Sequence, residues 1–358
     1  MTTSLDLTVL ASALPRIWPR QVGADVQLSP VSGGFSGAKV FRVTSSASAS
    51  TYALRAWPIG YRDFDRLRSL HQFLAALHNA GFPVAVPIPV EESGLTVMRG
   101  GDRIWQLEPW LPGAPLTIGC EVDVVRPVMR RLAQMHLTCE RYQPDGDDDP
   151  LIARTAPSPS IEERIAFLNR WSTDRLARLE TATIKSQEGL LILPPDDAAE
   201  VCGPIERVPA LQARMLYQFL YQGPVIQRKL EALREQSFRL HPCWRDLWHA
   251  HVLLSDGDVT GLLDAAATRT DHVATDLSRL LGSLWGNDWS RWDAALAEYA
   301  TIRPLSDQEH RLIRVLDHSN VLLSGMTWLA RSYDTPHRLG VAELDRWAGI
   351  ITRLEHLA

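Results

Sequence analysis

The segment WRDLWHAHVLLSDGDVTGLLDAA, residues 244–266, constrains this chain more than any other. Two short apolar runs flank an Asp-Gly pair, the pattern of a two-stranded hairpin. A hairpin brings its two ends together. Asp246, just before the first strand, and Asp264, at the end of the returning strand, therefore share one cleft although they are distant in sequence. His251 lies between them, which gives an Asp, His, Asp cluster at the hairpin mouth. Phosphoryl transfer needs such a set. One carboxylate orients an acceptor hydroxyl and takes its proton, while another holds a divalent cation against the phosphates. Taken alone, the cluster also fits simple metal binding or a polar turn.

Upstream, the chain supplies a complementary part. Val40, Arg42 and Thr44 alternate with Phe41 and Val43 as in a half-buried strand, and TYALRAW, 51–57, reads as the returning strand across the Ser/Ala run 45–50. Gly33, Gly34 and Gly37 surround Phe35 and Ser36 immediately before this hairpin. Glycines there let the backbone bend over an anion and present its N–H groups, although a plain turn has the same composition. Arg55, on the returning strand, is placed to reach the same anion.

A helix follows over 63–79, with Leu67, Leu70, Leu74 and Leu77 on one face, ended by Gly81 and Pro83. VAVPIPV, LTVMRG and RIWQLEPW complete a small strand-rich region, and Leu111, Pro112 and Gly113 read as a connection. Beyond it the patterns are mostly helical: 124–139, a helix opened by the capping-box spacing Ser160/Glu163, then 207–222 and 225–238, and a second capping box at Ser306/Glu309. Residues 183–204, with Pro194 and Pro195, read as an irregular insertion.

Bulk properties exclude several classes. The 358 residues carry 37 basic and 42 acidic side chains, a net charge of -5, so nothing marks a nucleic-acid partner. Cys120, Cys139, Cys202 and Cys243 form no CxxC pair and read as thiols in a reducing compartment. The N-terminal stretch lacks the basic region of a signal peptide, and no apolar run is long enough for a membrane span, so a cytoplasmic location is expected.

With these elements in this order, the chain resembles the aminoglycoside phosphotransferase and choline kinase superfamily over roughly residues 28–285. The glycine loop GGFSGAK (33–39), Arg55 in YALRAW, the hinge-like LEPWLPG (107–113), RLAQMH (131–136), WRDLWHAH, LLDAA and ATDLSRL carry the likeness. The resemblance implies a two-lobed, protein-kinase-like α+β fold, with a nucleotide-binding lobe over 1–108 and a helical lobe over 109–358. It implies ATP, or GTP, with magnesium or manganese, and a small hydroxyl-bearing acceptor. In the family's terms Asp246 is the catalytic aspartate and Asp264 the metal aspartate. Gly33, Gly34, Phe35, Ser36, Gly37, Arg55, Glu108 and Trp110 are the nucleotide contacts, His251 stands in the place of a metal-binding asparagine, and Asp276 is a structural acid.

The chain departs from the family's His-Gly-Asp-x-His-x-x-Asn loop. Trp244 and Trp248 replace the two histidines, and Arg245 replaces the glycine, where it would touch a phosphate or form a surface ion pair. His251 offers a nitrogen where an amide oxygen is usual, which favours manganese over magnesium. Ala265 and Ala266 follow Asp264, and the helix at 63–79 contains no glutamate to pair with Arg55. The alternative reading is a catalytically weak or inactive relative that binds a nucleotide, metabolite or protein.

Three further residues or groups have two readings. His249 with His251 invites a zinc site that lacks a fourth ligand at diagnostic spacing, and His136 is either a packing histidine or a brace for the catalytic loop. Acceptor contacts are expected from 140–160, 183–205 and 285–335. Acids there (Asp145, Asp147, Asp148, Asp149, Asp196, Asp197, Glu200) suit either solubility or a cationic acceptor, and Trp285, Trp289 and Trp328 offer an aromatic cage for one.

Overall fold

The computed structural model describes residues 7–31, 37–45, 48–144, 146, 149–171, 176–177, 207–334 and 339–357. Gly33, Gly34, Phe35 and Ser36, most of the acids of the two loops, Cys202 and the insertion 183–204 lie outside the described residues.

Five antiparallel strands build the first lobe: β1 (Gln27–Val31), β2 (Lys39–Ser45), β3 (Ser48–Ala56), β4 (Met98–Gly100) and β5 (Arg103–Pro109), in the spatial order β1-β2-β3-β5-β4. Alternation assigns its two faces. Leu54, Ala56, Trp105 and Leu107 point to one side and pack with Leu14 of helix α1 (Leu7–Ile17) and with Trp18 just after it. Arg55, Gln106 and Glu108 point to the other side. That side faces helix α2 (Phe64–Asn79), whose first turn is capped by Asp63 accepting from the Arg66 N–H at 3.0 Å. The segment VAVPIPV, expected as extended, forms no named strand; it contributes an isolated parallel bridge between Val84 and Leu262 and an Ile88 N–H bond to the Leu107 carbonyl at 2.7 Å. Its prolines remove ladder donors.

The leucine face of α2 does not close a core of its own lobe. Leu67, Leu70, Phe73, Leu74 and Leu77 belong to one continuous cluster with the second lobe, and Phe73 packs edge-on against Trp244 at 6.2 Å. The lobes are thus joined by a shared apolar core as well as by the chain. At the connection Gly113 has φ +109, and a Cβ there would sit 2.8 Å from the Leu254 carbonyl oxygen, so only glycine fits.

The second lobe contains β6 (Ala114–Pro115), α3 (Val122–Cys139), β7 (Arg154–Pro157), α4 (Pro159–Arg170), α5 (Arg207–Glu231), β8 (Ser237–Cys243), β9 (Val252–Ser255), β10 (Asp258–Leu262), β11 (Arg269–Asp271), α6 (Ala274–Trp285), α7 (Trp289–Ala300), α8 (Asp307–Asp334) and α9 (Val341–Glu355). The expected 252–266 hairpin is present as β9–β10, with Asp256 and Gly257 both at positive φ in its turn, and β6 extends it to three strands. Two expectations are corrected. The helical pattern at 225–238 is the end of one helix, which continues through Pro224 to Glu231 and is followed by β8, the centre of a β11-β8-β7 sheet. Ser160 does not cap α4, because Ser158 precedes the helix and the Ser160 hydroxyl is turned inward to Asp271. The second box is real: Ser306 N–H donates to Glu309 Oε2 at 2.8 Å and Glu309 N–H donates to Ser306 Oγ at 3.3 Å.

Among the described residues no helix is long and apolar enough to cross a membrane. The architecture is bilobal α+β, with a mainly β first lobe and a mainly α second lobe.

Candidate active site

A cavity of about 1120 Å³ lies between the lobes and is lined by Arg55 and Trp57 from the sheet and by Asp246 and Asp264 from the hairpin mouth. Both aspartates keep open faces, at 48% and 39% side-chain exposure. Arg55 reaches across the gap, its Nη1 donating to Asp264 Oδ1 at 3.0 Å.

The β3–β5 register explains how Arg55 is held. Arg55 lies opposite Gln106, so Glu108, two residues along β5, is its diagonal neighbour on the same face. Glu108 Oε1 lies 3.8 Å from Arg55 Nε, and Glu108 Oε2 accepts from Gln106 Nε2 at 3.0 Å. The partner expected from α2 and missing there is thus supplied by β5. Burial pushes the Glu108 carboxyl upward, with Arg55 opposing. For Arg55 burial disfavours the charge, but Glu108 and Asp264 outweigh it and raise the pKa above the ordinary value. Trp57 donates its indole N–H to Gln106 Oε1 at 2.7 Å and forms wall instead of blocking the cleft. Of the glycine turn, Gly37 is described. It adopts φ +75, and its carbonyl accepts from buried Arg103, which also binds the Trp57 carbonyl. Trp110 is partly exposed beyond the end of β5, under the Arg42 guanidinium.

One face of α6 holds the loop that carries Asp246. Buried Asp276 accepts from the Trp244 N–H at 3.0 Å and the Arg245 N–H at 2.5 Å. Arg279, one turn on, donates from Nε to Asp246 Oδ1 at 2.8 Å, and Ser283 Oγ accepts from the His249 N–H at 2.9 Å. Positions 276, 279 and 283 follow i, i+3, i+7, so three anchors on one helical stripe set the loop's path. Sequence reasoning reached Asp276 and missed Arg279 and Ser283. The stripe was visible in ATDLSRLLGS, but polar residues on a buried face have meaning only once a partner is known. Behind it, His136 Nε2 meets Asp276 Oδ2 at 3.3 Å and Nδ1 meets the Tyr299 hydroxyl at 2.8 Å, so this histidine braces the loop through Asp276.

Trp244 is fully buried, and its indole donates to the Leu263 carbonyl at 2.9 Å, fixing the residue before Asp264. Arg245 and Asp264 both sit at positive φ, +63 and +52, an uncommon conformation for side-chain-bearing residues that the surrounding bonds impose. The Arg245 side chain turns toward α4, to Glu163, to Ser160 Oγ at 3.2 Å and to buried Asp271 at 3.2 Å.

His251 donates from Nδ1 to the Asp246 carbonyl at 2.9 Å and accepts the Trp248 indole N–H on Nε2 at 2.6 Å. The ring is therefore the Nδ1–H tautomer, with its one lone pair engaged. Nε2 lies 3.9 Å from Asp264 Oδ2, and burial lowers the imidazole pKa despite the nearby carboxylates. A magnesium ion asks for oxygen ligands and accepts as few as one carboxylate alongside water and phosphates, which Asp264 satisfies. His251 serves a metal only if Trp248 releases it.

Of the segments expected to meet an acceptor, Ser160 lines the cavity from 140–160 and Asn320 and Leu323 from 285–335, while 183–205 lies outside the described residues; α4 adds Glu163, Arg164 and Arg170 to the far wall. Trp285 and Trp328 are buried in the helical core and Trp289 lines a different cavity, so these three do not form a cage at this cleft. Burial lowers the Arg164 guanidinium to about 10.

The family model described as the phosphotransferase enzyme family matches residues 27–313. The chain belongs to that family. Solved structures share this phosphotransferase fold at low identity. An amicoumacin kinase in complex with AMP-PNP and Ca2+ aligns at TM-score 0.64 and 15% identity, covering 99% of this chain and 94% of that one. A microcompartment-associated aminopropanol kinase aligns at 0.64 and 16%, covering 98% and 95%. A spectinomycin phosphotransferase in complex with ADP and spectinomycin aligns at 0.60 and 11%, covering 97% of each. A comparison with curated proteins finds no match.

Proposed function

We propose that this member of the phosphotransferase family moves the γ-phosphoryl group of ATP to a hydroxyl of a small molecule. The observation that carries the reading is the Arg55–Asp264 contact across a cleft that also contains an open Asp246. Kinase, phosphotransferase and nucleotide-complex descriptions of the similar structures support it.

In this reading Arg55 and the turn ending at Gly37 bind the phosphates, while the β5 end at Glu108 and Trp110 forms the nucleotide's edge of the cleft. Asp264 holds the divalent cation, which when bound offsets phosphate charge. Asp246 orients the acceptor hydroxyl and takes its proton as the new O–P bond forms and the bond to the leaving diphosphate breaks. Arg279 is a positioning residue. Its bond to Oδ1 fixes the Asp246 carboxylate and leaves Oδ2 for the hydroxyl.

A second reading, a weak or inactive nucleotide binder, is favoured by one observation: the metal-side position His251 has its lone pair engaged by Trp248. Calorimetry with ATP, or GTP, without metal and with magnesium or manganese, paired with turnover assays, separates the two. Metal-dependent binding that Asp264→Asn abolishes, with slow ATP hydrolysis that Asp246→Asn abolishes, is expected for the enzyme. Binding without turnover for any acceptor supports the second reading, and absence of nucleotide binding in folded protein overturns both.

A further inference from the structure

We propose that the acceptor is an anionic hydroxyl compound, held through its carboxylate or phosphate group by Arg164. This rests on the phosphotransferase reading and names the substrate class of the same cleft. It reverses the expectation of a cationic acceptor.

The charges lining the cavity do not cancel. Asp264 is held by Arg55, Asp246 by Arg279 and Glu163 by Arg245. Each carboxylate of the lining thus already has a guanidinium. Arg66, Arg164, Arg170 and Arg269 line the same space, and none of them has an ion pair among the described residues. Arg66 binds the Ala266 carbonyl at 2.7 Å, and Arg170 stacks on Phe167 at 4.9 Å. Among the described residues a cationic acceptor would meet no lining carboxylate without a guanidinium, whereas an anion would meet guanidinium groups that make no ion pair.

Arg164 identifies the central contact. Its Nε is buried and has no hydrogen-bond partner among the described residues, while Nη1 bonds the Ser160 carbonyl of its own helix at 3.2 Å. Asp271 and Glu163 attract this guanidinium but make their close contacts with Arg245, so the buried Nε is left without a hydrogen bond, and a carboxylate or phosphate matches a guanidinium's donors two at a time. Its place separates it from the nucleotide phosphates. Arg164 stands one turn from Ser160 and next to Glu163, and both of those bind Arg245, the residue before Asp246. The unbonded Nε is therefore on the acceptor side of the catalytic carboxylate, while Arg55 serves the opposite side.

The test is calorimetry of the full chain with glycerate, glycerol 3-phosphate and inorganic phosphate as anionic probes and ethanolamine as the cationic one. Each is titrated with and without a magnesium complex of a non-hydrolysable ATP analogue. Binding of a hydroxy anion is expected, weakened about 10- to 100-fold by Arg164→Ala and partly recovered by Arg164→Lys. Nucleotide affinity should stay within about 2-fold in both variants, which excludes general loss of the fold. Ethanolamine binding without any anion binding overturns the proposal, as does anion affinity that Arg164→Ala leaves unchanged, or absence of binding by all three anions. Anion binding that persists while the nucleotide fails to bind would instead remove the phosphotransferase reading and leave the anion site standing.

Discussion

The two walls of the cleft solve the same electrostatic problem in opposite ways. On the sheet side Arg55 lies between Glu108 and Asp264, Glu108 is bonded by Gln106, and Gln106 by Trp57. That wall satisfies itself before any ligand arrives. On the α4 side Arg164 has a buried, partnerless Nε, and its helix neighbour Glu163 is committed to Arg245. A self-satisfied wall can bind a ligand shared with other proteins through preformed geometry, whereas an unsatisfied wall shows what its own ligand must bring. In the proposed reading the self-satisfied wall takes the nucleotide and the unsatisfied wall takes the acceptor.

The largest effect should come from the carboxylates that both walls face. Asp246→Asn and Asp264→Asn are each expected to lower phosphoryl transfer by about 10³-fold, measured as ADP release with the hydroxy anion that binds by calorimetry. If either variant retains full turnover, the assignment of that carboxylate fails.

Stability gives a direct contrast. Arg55→Met strands Glu108 in the sheet and should cost about 3 kcal/mol in urea unfolding. Arg164→Met removes a desolvated guanidinium whose Nε has no hydrogen bond and should be neutral or stabilising by up to about 1 kcal/mol, while acceptor binding is lost. Equal costs for the two would erase the distinction between the walls. Glu108→Gln sharpens it kinetically: the KM for ATP should rise about 10-fold with the acceptor KM unchanged, because the loosened Arg55 touches only the nucleotide side. The smallest change expected is in metal choice. His251→Asn restores an oxygen ligand and should raise the ratio of magnesium- to manganese-supported turnover by about 10-fold. A ratio that does not move would take His251 out of the metal shell.

Much of this site was legible before the structure because it is local. The Asp-Gly turn specifies the β9–β10 hairpin, and the hairpin specifies that Asp246 and Asp264 converge. What was hidden depends on pairings far apart in sequence. That Glu108 aims at Arg55 follows only from the β3–β5 register, which no local pattern encodes. The Ser160/Glu163 and Ser306/Glu309 spacings are identical in sequence, yet only the second caps a helix. Asp271, more than a hundred residues on, claims the Ser160 hydroxyl. Phe238 and Leu240 alternate with Ser237 and Arg239 as a strand should, but the helical signal running up to Glu231 masked the change of period.

The origin of Glu108 has a consequence for control. In protein kinases the corresponding acid sits on a helix that can swing away, so the ion pair doubles as a switch. Here both members of the pair belong to adjacent strands of one sheet, locked by the same ladder that pairs Ala53 with Glu108. Separating them would require unzipping the lobe. An ion pair carried on two neighbouring strands is a fixture of the sheet and lacks the moving part that a helix-borne acid provides.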